Sequence, residues 1–217
     1  APVVDDDDRL VGAITIDDAM TVLDEEHEED ILRLAGVGDG ALSDPVMTTV
    51  RQRIPWLIVN LCTAGLSALV ISRFAATIQA LVALAVLMPI VASMGGNAGT
   101  QSLTVAVRAL ATRDLTRSNA WRVIRREALV GLVNGVTLAV MLGLATMLLF
   151  GSVQLGAVIA AALMVNLLVA SLAGTFVPLV LERLGVDPAL ASGTFVTTTT
   201  DVMGFFVFLG LASMVLI

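Results

Sequence analysis

An all-α membrane protein with five transmembrane helices is the fold class this sequence predicts, and three observations predict it. Hydrophobic residues make up 57% of the 217 and charged residues only 14%, against about a quarter charged in soluble domains. Mean hydropathy is +0.94. Five apolar runs follow one another from residue 54 onward, each long enough for a bilayer core that takes ~20 residues to cross.

The net charge of −7 joins two unlike regions. Residues 1–44 carry 14 acids against 2 arginines, a balance of −12, and residues 45–217 carry 5 acids against 10 arginines, a balance of +5. Lysine is absent throughout. The acidic part reads as water-facing and the remainder as lipid-facing. The expected division is a cytoplasmic segment over 1–40, a linker over 41–53 and a five-helix domain over 54–217.

Taken in order, Pro2-Val3-Val4 predicts a short strand, Asp5 to Asp8 a turn, and 10–16 a second strand. Asp17 or Asp18 then caps a helix running to about residue 35, with Met20, Leu23, Ile31 and Leu34 on its apolar side. Gly36-Val37-Gly38-Asp39-Gly40 ends it. This segment is too short to hold a core of its own. The linker carries a short helix over 44–53. The spans follow at 54–74, 78–110, 128–150, 153–181 and 189–217. The start, Ala-Pro-Val-Val-Asp-Asp-Asp-Asp, has neither initiator Met nor the basic opening of a signal peptide, and is read as part of a longer protein.

Arginine placement predicts topology, because basic loops stay cytoplasmic. Arg113, Arg117, Arg122, Arg125 and Arg126 crowd between the second and third spans, and Arg51 and Arg53 precede the first. The N-terminus is therefore expected in the cytoplasm and the C-terminus outside a cell (inner) membrane. Anchoring accounts for these arginines, so no nucleic-acid partner is expected. One Cys62 rules out an intrachain disulfide, and one His27 leaves no histidine cluster for zinc or triad chemistry.

Two stretches carry chemistry. The fifth span contains Thr197-Thr198-Thr199-Thr200-Asp201-Val202-Met203-Gly204, and Asp201 is the one acid well inside any apolar run. An acid at that depth costs roughly 2.5–3.5 kcal/mol on insertion scales and normally faces a bundle interior or water. Thr194, Thr197, Thr198, Asp201, Gly204 and Phe208 fall on one face by helical spacing. Successive threonines can bend a helix by bonding back to the preceding turn; simple helix–helix packing through Thr and Gly is the competing reading. The second span contains Pro89-Ile90-Val91-Ala92-Ser93-Met94-Gly95-Gly96-Asn97-Ala98-Gly99-Thr100-Gln101. Ser93, Asn97 and Gln101 share a face, which fits a lined path; a small-residue packing face is the alternative. Glu127 opens the third span, expected as an interfacial ion pair with its neighbouring arginines or as a vestibule cation site. Asn134 and Asn166 are expected to hydrogen-bond between helices.

These motifs resemble the MgtE magnesium channel family across nearly the whole chain. Carrying the likeness are Gly95-Gly96-Asn97-Ala98-Gly99-Thr100-Gln101, Val107-Arg108-Ala109-Leu110-Ala111, Gly185-Val186-Asp187-Pro188-Ala189 and Thr198-Thr199-Thr200-Asp201-Val202-Met203-Gly204. The strand–turn–strand–acidic-helix start resembles the closing half of a CBS domain. The resemblance implies a homodimer in the lipid bilayer with a pore between second and fifth spans, and Mg²⁺ as both cargo and regulatory ligand. Asp201 would recognise the ion, with the Thr197 backbone carbonyl, Asn97 and Glu127 as further metal-facing groups. Gly95, Gly96, Gly99, Gln101, Thr198 and Gly204 would line the pore. Asp18, Glu26, Glu29 and Asp30 match an acidic helix that binds cytoplasmic Mg²⁺, and the helix before the first span matches a plug that closes the pore. The family's amino-terminal domain and most of its CBS pair have no counterpart in this sequence, which sets the Mg²⁺-dependent closure apart from the pore expectations.

Other classes fit less well. An intramembrane aspartyl protease needs two acids sharing a proton, and one chain supplies only Asp201. A cation-coupled carrier is the nearer alternative, although five spans do not divide into the equal repeats common in such proteins. A non-transporting membrane sensor leaves the polar groups at mid-depth in two spans without a purpose. No enzyme activity is expected.

Overall fold

A computed structural model of the chain describes residues 1–34, 45–116 and 118–217, with the side chains of 26–31, 33–34 and 190–192 outside the description. The glycine-rich stretch expected to end the first helix, the linker over 41–44 and Arg117 therefore lie outside the described residues.

The N-terminal segment is a two-stranded antiparallel ribbon and one helix. β1 (Pro2–Val4) pairs with β2 (Leu10–Ala13), Pro2 opposite Ala13 and Val4 opposite Leu10. Asp5 closes the turn: its carboxylate accepts the backbone N–H groups of Asp7 at 3.0 Å and Arg9 at 2.9 Å, the local bonding that favours Asp in turns. β2 is shorter than expected because Thr15 leaves the strand to cap α1 (Ile16–Leu34). The Thr15 hydroxyl accepts the Asp18 N–H at 3.2 Å, and the Asp18 carboxylate accepts the Thr15 N–H at 2.8 Å and its hydroxyl at 2.7 Å. This reciprocal box corrects the expectation that Asp17 or Asp18 is the cap.

Five helices are long and apolar enough to cross a membrane: α2 (Val46–Arg73), α4 (Ala83–Ala111), α5 (Ala120–Phe150), α6 (Val153–Arg183) and, within α7 (Pro188–Val215), residues Gly193–Val215. Two boundaries differ from the hydropathy pattern. Residues 46–53 are the first turns of α2, with no separate helix before the span. The second span starts at Ala83, after a short α3 (Ala75–Ala80) and an extended Leu81 at φ −139°, ψ 90°. No Gly or Pro marks that break, so the apolar run alone does not disclose it.

α6 is the central helix, packed on α4, α5 and α7, whereas α2 touches chiefly α7. Small residues permit the closest crossings. On α5, Gly131, Gly135, Ala139 and Gly143 recur every fourth residue and are all buried. A Cβ on Gly156 of α6 would sit 2.7 Å from the Gly143 carbonyl oxygen. A Cβ on Gly174 of α6 would sit 2.5 Å from the Gly99 carbonyl oxygen and 2.9 Å from the Leu103 nitrogen of α4. Backbones at this distance tolerate only hydrogen, which is how helices gain packing where no hydrophobic effect separates protein from lipid. The apolar core lies toward the start of α4, where Leu84, Leu87 and Val91 meet Ile159, Phe208 and Leu209. Ser152 caps α6 by accepting the Leu155 N–H at 3.2 Å, and Asp187 caps α7 by accepting the Ala189 N–H at 2.8 Å with Pro188 in the first turn.

Candidate functional site

The site is built where α4 and α7 pack together. One stripe of α7 is buried at every fourth residue: Val196, Thr200, Gly204, Phe208 and Ala212. The matching stripe on α4 is Leu87, Val91, Gly95, Gly99, Ser102 and Ala106. Thr200 joins the two. Its Cβ lies 3.2 Å from where a Gly95 Cβ would stand, and its Cγ2 lies 3.5 Å from the same point on Gly99. This contact fixes the depth of Asp201, the next residue, at the level of Gly95 to Gly99 and hence of Asn97.

Asp201 lies at the middle of α7 and is half-buried. Among the described residues no donor or arginine reaches its carboxylate. Thr197 is exposed and Thr198 is half-buried. The threonine hydroxyls bond backward along the helix. Thr198 donates to the Thr194 carbonyl at 2.7 Å, Thr199 to that of Phe195 at 2.8 Å, and Thr200 to that of Thr197 at 2.9 Å. Thr197 therefore has a carbonyl with a second donor already on it.

α4 turns a polar face away from its own bundle. Ser93, Asn97, Thr100, Gln101 and Thr104 are all exposed, opposite the buried glycines. Thr100 and Thr104 return their hydroxyls to the carbonyls of Gly96 and Thr100 at 2.9 Å each. Ser93, Asn97 and Gln101 belong to this face as the spacing predicts; the reading passed over Thr100 and Thr104, although both stand on the same i+3, i+4 ladder.

Gly95, Gly99 and Gly204 were expected to line a path, but all three are buried against their own chain. A Cβ on Gly99 would meet Val196 Cγ1 at 2.6 Å, and one on Gly204 would meet Asn166 Nδ2 at 2.7 Å. Their office is close packing of α4, α6 and α7. Gly96 remains open, with nothing within 4 Å of its Cβ position. On α7 the expected polar face is turned: Gly204 and Phe208 point inward with Thr200, and Asp201 stands at the edge.

Glu127 is buried, 9% exposed, near the start of α5. Ser102 of α4 donates its hydroxyl to the carboxylate at 3.1 Å. Arg125 and Arg126 are exposed and make no ion pair with it, so the expected interfacial ion pair is replaced by a bond between helices. Asn166 does bond between helices, and Asn134 is exposed on the outer face of α5. Asp18 is exposed and occupied by the Thr15 cap; the side chains of Glu26, Glu29 and Asp30 lie outside the described residues. The N–H of Thr15, then its hydroxyl, holds the Asp18 carboxyl below the usual aspartate range.

Comparison with known proteins covers both helices that build this site. A family profile, MgtE, described as a divalent cation transporter, matches residues 88–211, from the Pro89 turn of α4 through most of α7. The chain belongs to the MgtE family. The magnesium transporter MgtE of Enterococcus faecalis is 40% identical over 217 residues, covering 98% of this chain and 47% of that protein. Those of Bacillus subtilis and Thermus thermophilus are 35% and 38% identical, covering 98% and 99% of this chain. The chain spans about half the length of these MgtE relatives. Both polar stripes, the threonine run and Asp201 fall inside the matched MgtE segment.

Proposed function

We propose that the chain forms one half of a homodimeric pore that passes hydrated or partly hydrated Mg²⁺ across the cell membrane. The observation that carries this reading is the polar face of α4, uncovered at the depth of Asp201. An amide such as Asn97 and a carboxylate such as Asp201 are costly against acyl chains unless protein or water covers them. A second copy placed against this face would enclose an aqueous path and bring two Asp201 carboxylates to one axis. The ion is taken from the MgtE relatives, which are named magnesium transporters.

Mg²⁺ sheds water reluctantly and is usually held through one or two carboxylates with several waters retained. Among the described residues no three His, Cys, Asp or Glu side chains converge in one chain. One carboxylate per copy is therefore the donor set on offer, and the ion offsets the repulsion between the pair. Asn97, Gln101, Thr198 and Gly96 would contact the ion's water shell, and the Thr197 carbonyl would join them on release of the Thr200 hydroxyl that now bonds to it. Glu127 would stand near the cytoplasmic end. Residues 1–40 are assigned to the end of a CBS domain, with Asp18, Glu26, Glu29 and Asp30 as the acids that sense cytoplasmic Mg²⁺ and close the pore. The N-terminus is assigned to the cytoplasm.

Asp201→Asn keeps size and removes charge. In liposomes reporting Mg²⁺ entry by an internal dye, it is expected to lower flux by about tenfold or more with an unchanged elution profile. Full flux through the variant would defeat the reading. Unitary currents in a patch would separate a pore from a carrier.

A further inference from the structure

Asn166 is a polar side chain with no solvent exposure at the junction of α4, α6 and α7. Its Nδ2 donates to the Val91 carbonyl of α4 at 3.0 Å. Its Oδ1 is buried and accepts nothing. The amide fills a notch formed by two glycines on the two other helices. A Cβ on Gly95 of α4 would overlap Asn166 Nδ2, and one on Gly204 of α7 would lie 2.7 Å from Nδ2 and 3.0 Å from Cγ. One side chain from α6 thus occupies the space of two absent methyl groups on the helices that carry the polar stripes.

Stability does not account for an amide here. A buried acceptor without a donor costs about 1–3 kcal/mol, while an apolar side chain of similar size would fill the notch with no orphan. What the amide supplies is directional. The bond to Val91 sets the height of α6 against α4, and the contact with Gly204 sets α7 against both. Gly204 is three residues beyond Asp201, and Val91 and Gly95 bracket the turn of α4 just before Asn97. A buried polar group that costs stability and fixes register is a known device between helices.

We propose that Asn166 is a positioning residue: seated between Gly95 and Gly204, it fixes the register of α4 against α7 and so the placement of Asp201 relative to Asn97. The proposal rests on reading the faces of α4 and α7 as the ion path. It makes Asn166 a determinant of selectivity although it touches no ion.

Three variants of the protein test this in detergent and in liposomes: Asn166→Leu, Asn166→Ala, and Asn166→Ala combined with Gly204→Ala. Asn166→Leu keeps the branched outline of the side chain and removes the orphan. Its melting temperature is expected to equal or exceed the parent's, while Mg²⁺ flux, or the ratio of Mg²⁺ to Ca²⁺ flux, falls about tenfold. Unchanged flux and ratio in Asn166→Leu would overturn the proposal. So would a fall in flux that merely follows a fall in melting temperature, since that marks a structural role alone. The double variant refills the notch from α7 and is expected to recover melting temperature lost in Asn166→Ala. If the parent itself carries no Mg²⁺, the pore reading fails, and the clasp is judged by the melting temperatures alone: recovery in the double variant supports it, and additive losses refute it.

Discussion

Asp201 owes its depth to Thr200, a residue that a reading of helical faces alone leaves unremarked. Spacing says which residues share a face, but not which face docks. Four threonines in a row offer every orientation, and only the glycines of α4 select Thr200 as the one that packs. That selection leaves Asp201 at the edge of the buried stripe. The same limit explains Gly95, Gly99 and Gly204: glycine at membrane depth reads equally as a lining or as a contact, and the partner that decides, Asn166 or Val196, is remote in sequence. Asp18 makes a residue-scale prediction about pH. Its folded carboxyl is held below the ordinary value by the Thr15 N–H, so the cap contributes fully above that ordinary value of about 3.9 and is lost as pH falls through the lowered one. Amide exchange at Asp18 and Ala19 is expected to stay protected, after correction for intrinsic rates, from pH 7 down to about 4. Loss of protection near pH 6 would contradict the assignment of the cap.

The helices were largely legible; their crossings were not. Apolar length located all five spans, since lipid permits no other way to satisfy the backbone of an α protein. Ends were less legible. The break at Leu81 leaves no mark because α3 and α4 are equally apolar, and α5 begins at Ala120 because an arginine-rich turn can be helical outside the apolar run. The tightest crossing, Gly174 against the Gly99 carbonyl, carries a prediction of its own. Gly174→Val puts a Cβ only 2.5 Å from the Gly99 carbonyl oxygen and is expected to cost about 1–3 kcal/mol by overpacking, read as a lower melting temperature. Ala145→Val on the exposed face of α5 is expected to change little. Equal melting temperatures for the two would contradict the crossing.

For the whole molecule, the burial pattern separates two kinds of surface. α6 is enclosed, while the outward faces of α2 and α5 are mostly apolar and suit lipid, Asn60 and Asn134 excepted. The outward face of α4 carries Ser93, Asn97, Thr100, Gln101 and Thr104, and the proposed second copy would cover it. A cysteine at Asn97, in a background with Cys62→Ala, is expected to form a disulfide between two chains in native membranes. Cysteine at Leu148, an exposed apolar position near the end of α5, is expected not to. Cross-linking at Leu148 but not at Asn97 would place the interface elsewhere. The resemblance read from the sequence reached the family, because Gly95-Gly96-Asn97-Ala98-Gly99-Thr100-Gln101 and the Thr-Asp pair sit in both crossing helices. How those residues divide between packing and path was decided by side chains far apart in the chain.

The central claim, that paired Asp201 carboxylates face a hydrated divalent ion, is tested most directly by anomalous scattering from crystals soaked in Mn²⁺, an oxygen-liganded stand-in for Mg²⁺. The account predicts a peak between two copies, within about 4–5 Å of both Asp201 carboxylates if one water intervenes, and its loss in Asp201→Asn. Mn²⁺ peaks elsewhere in the membrane region with none at Asp201, or a peak there that survives Asp201→Asn unchanged, would contradict it.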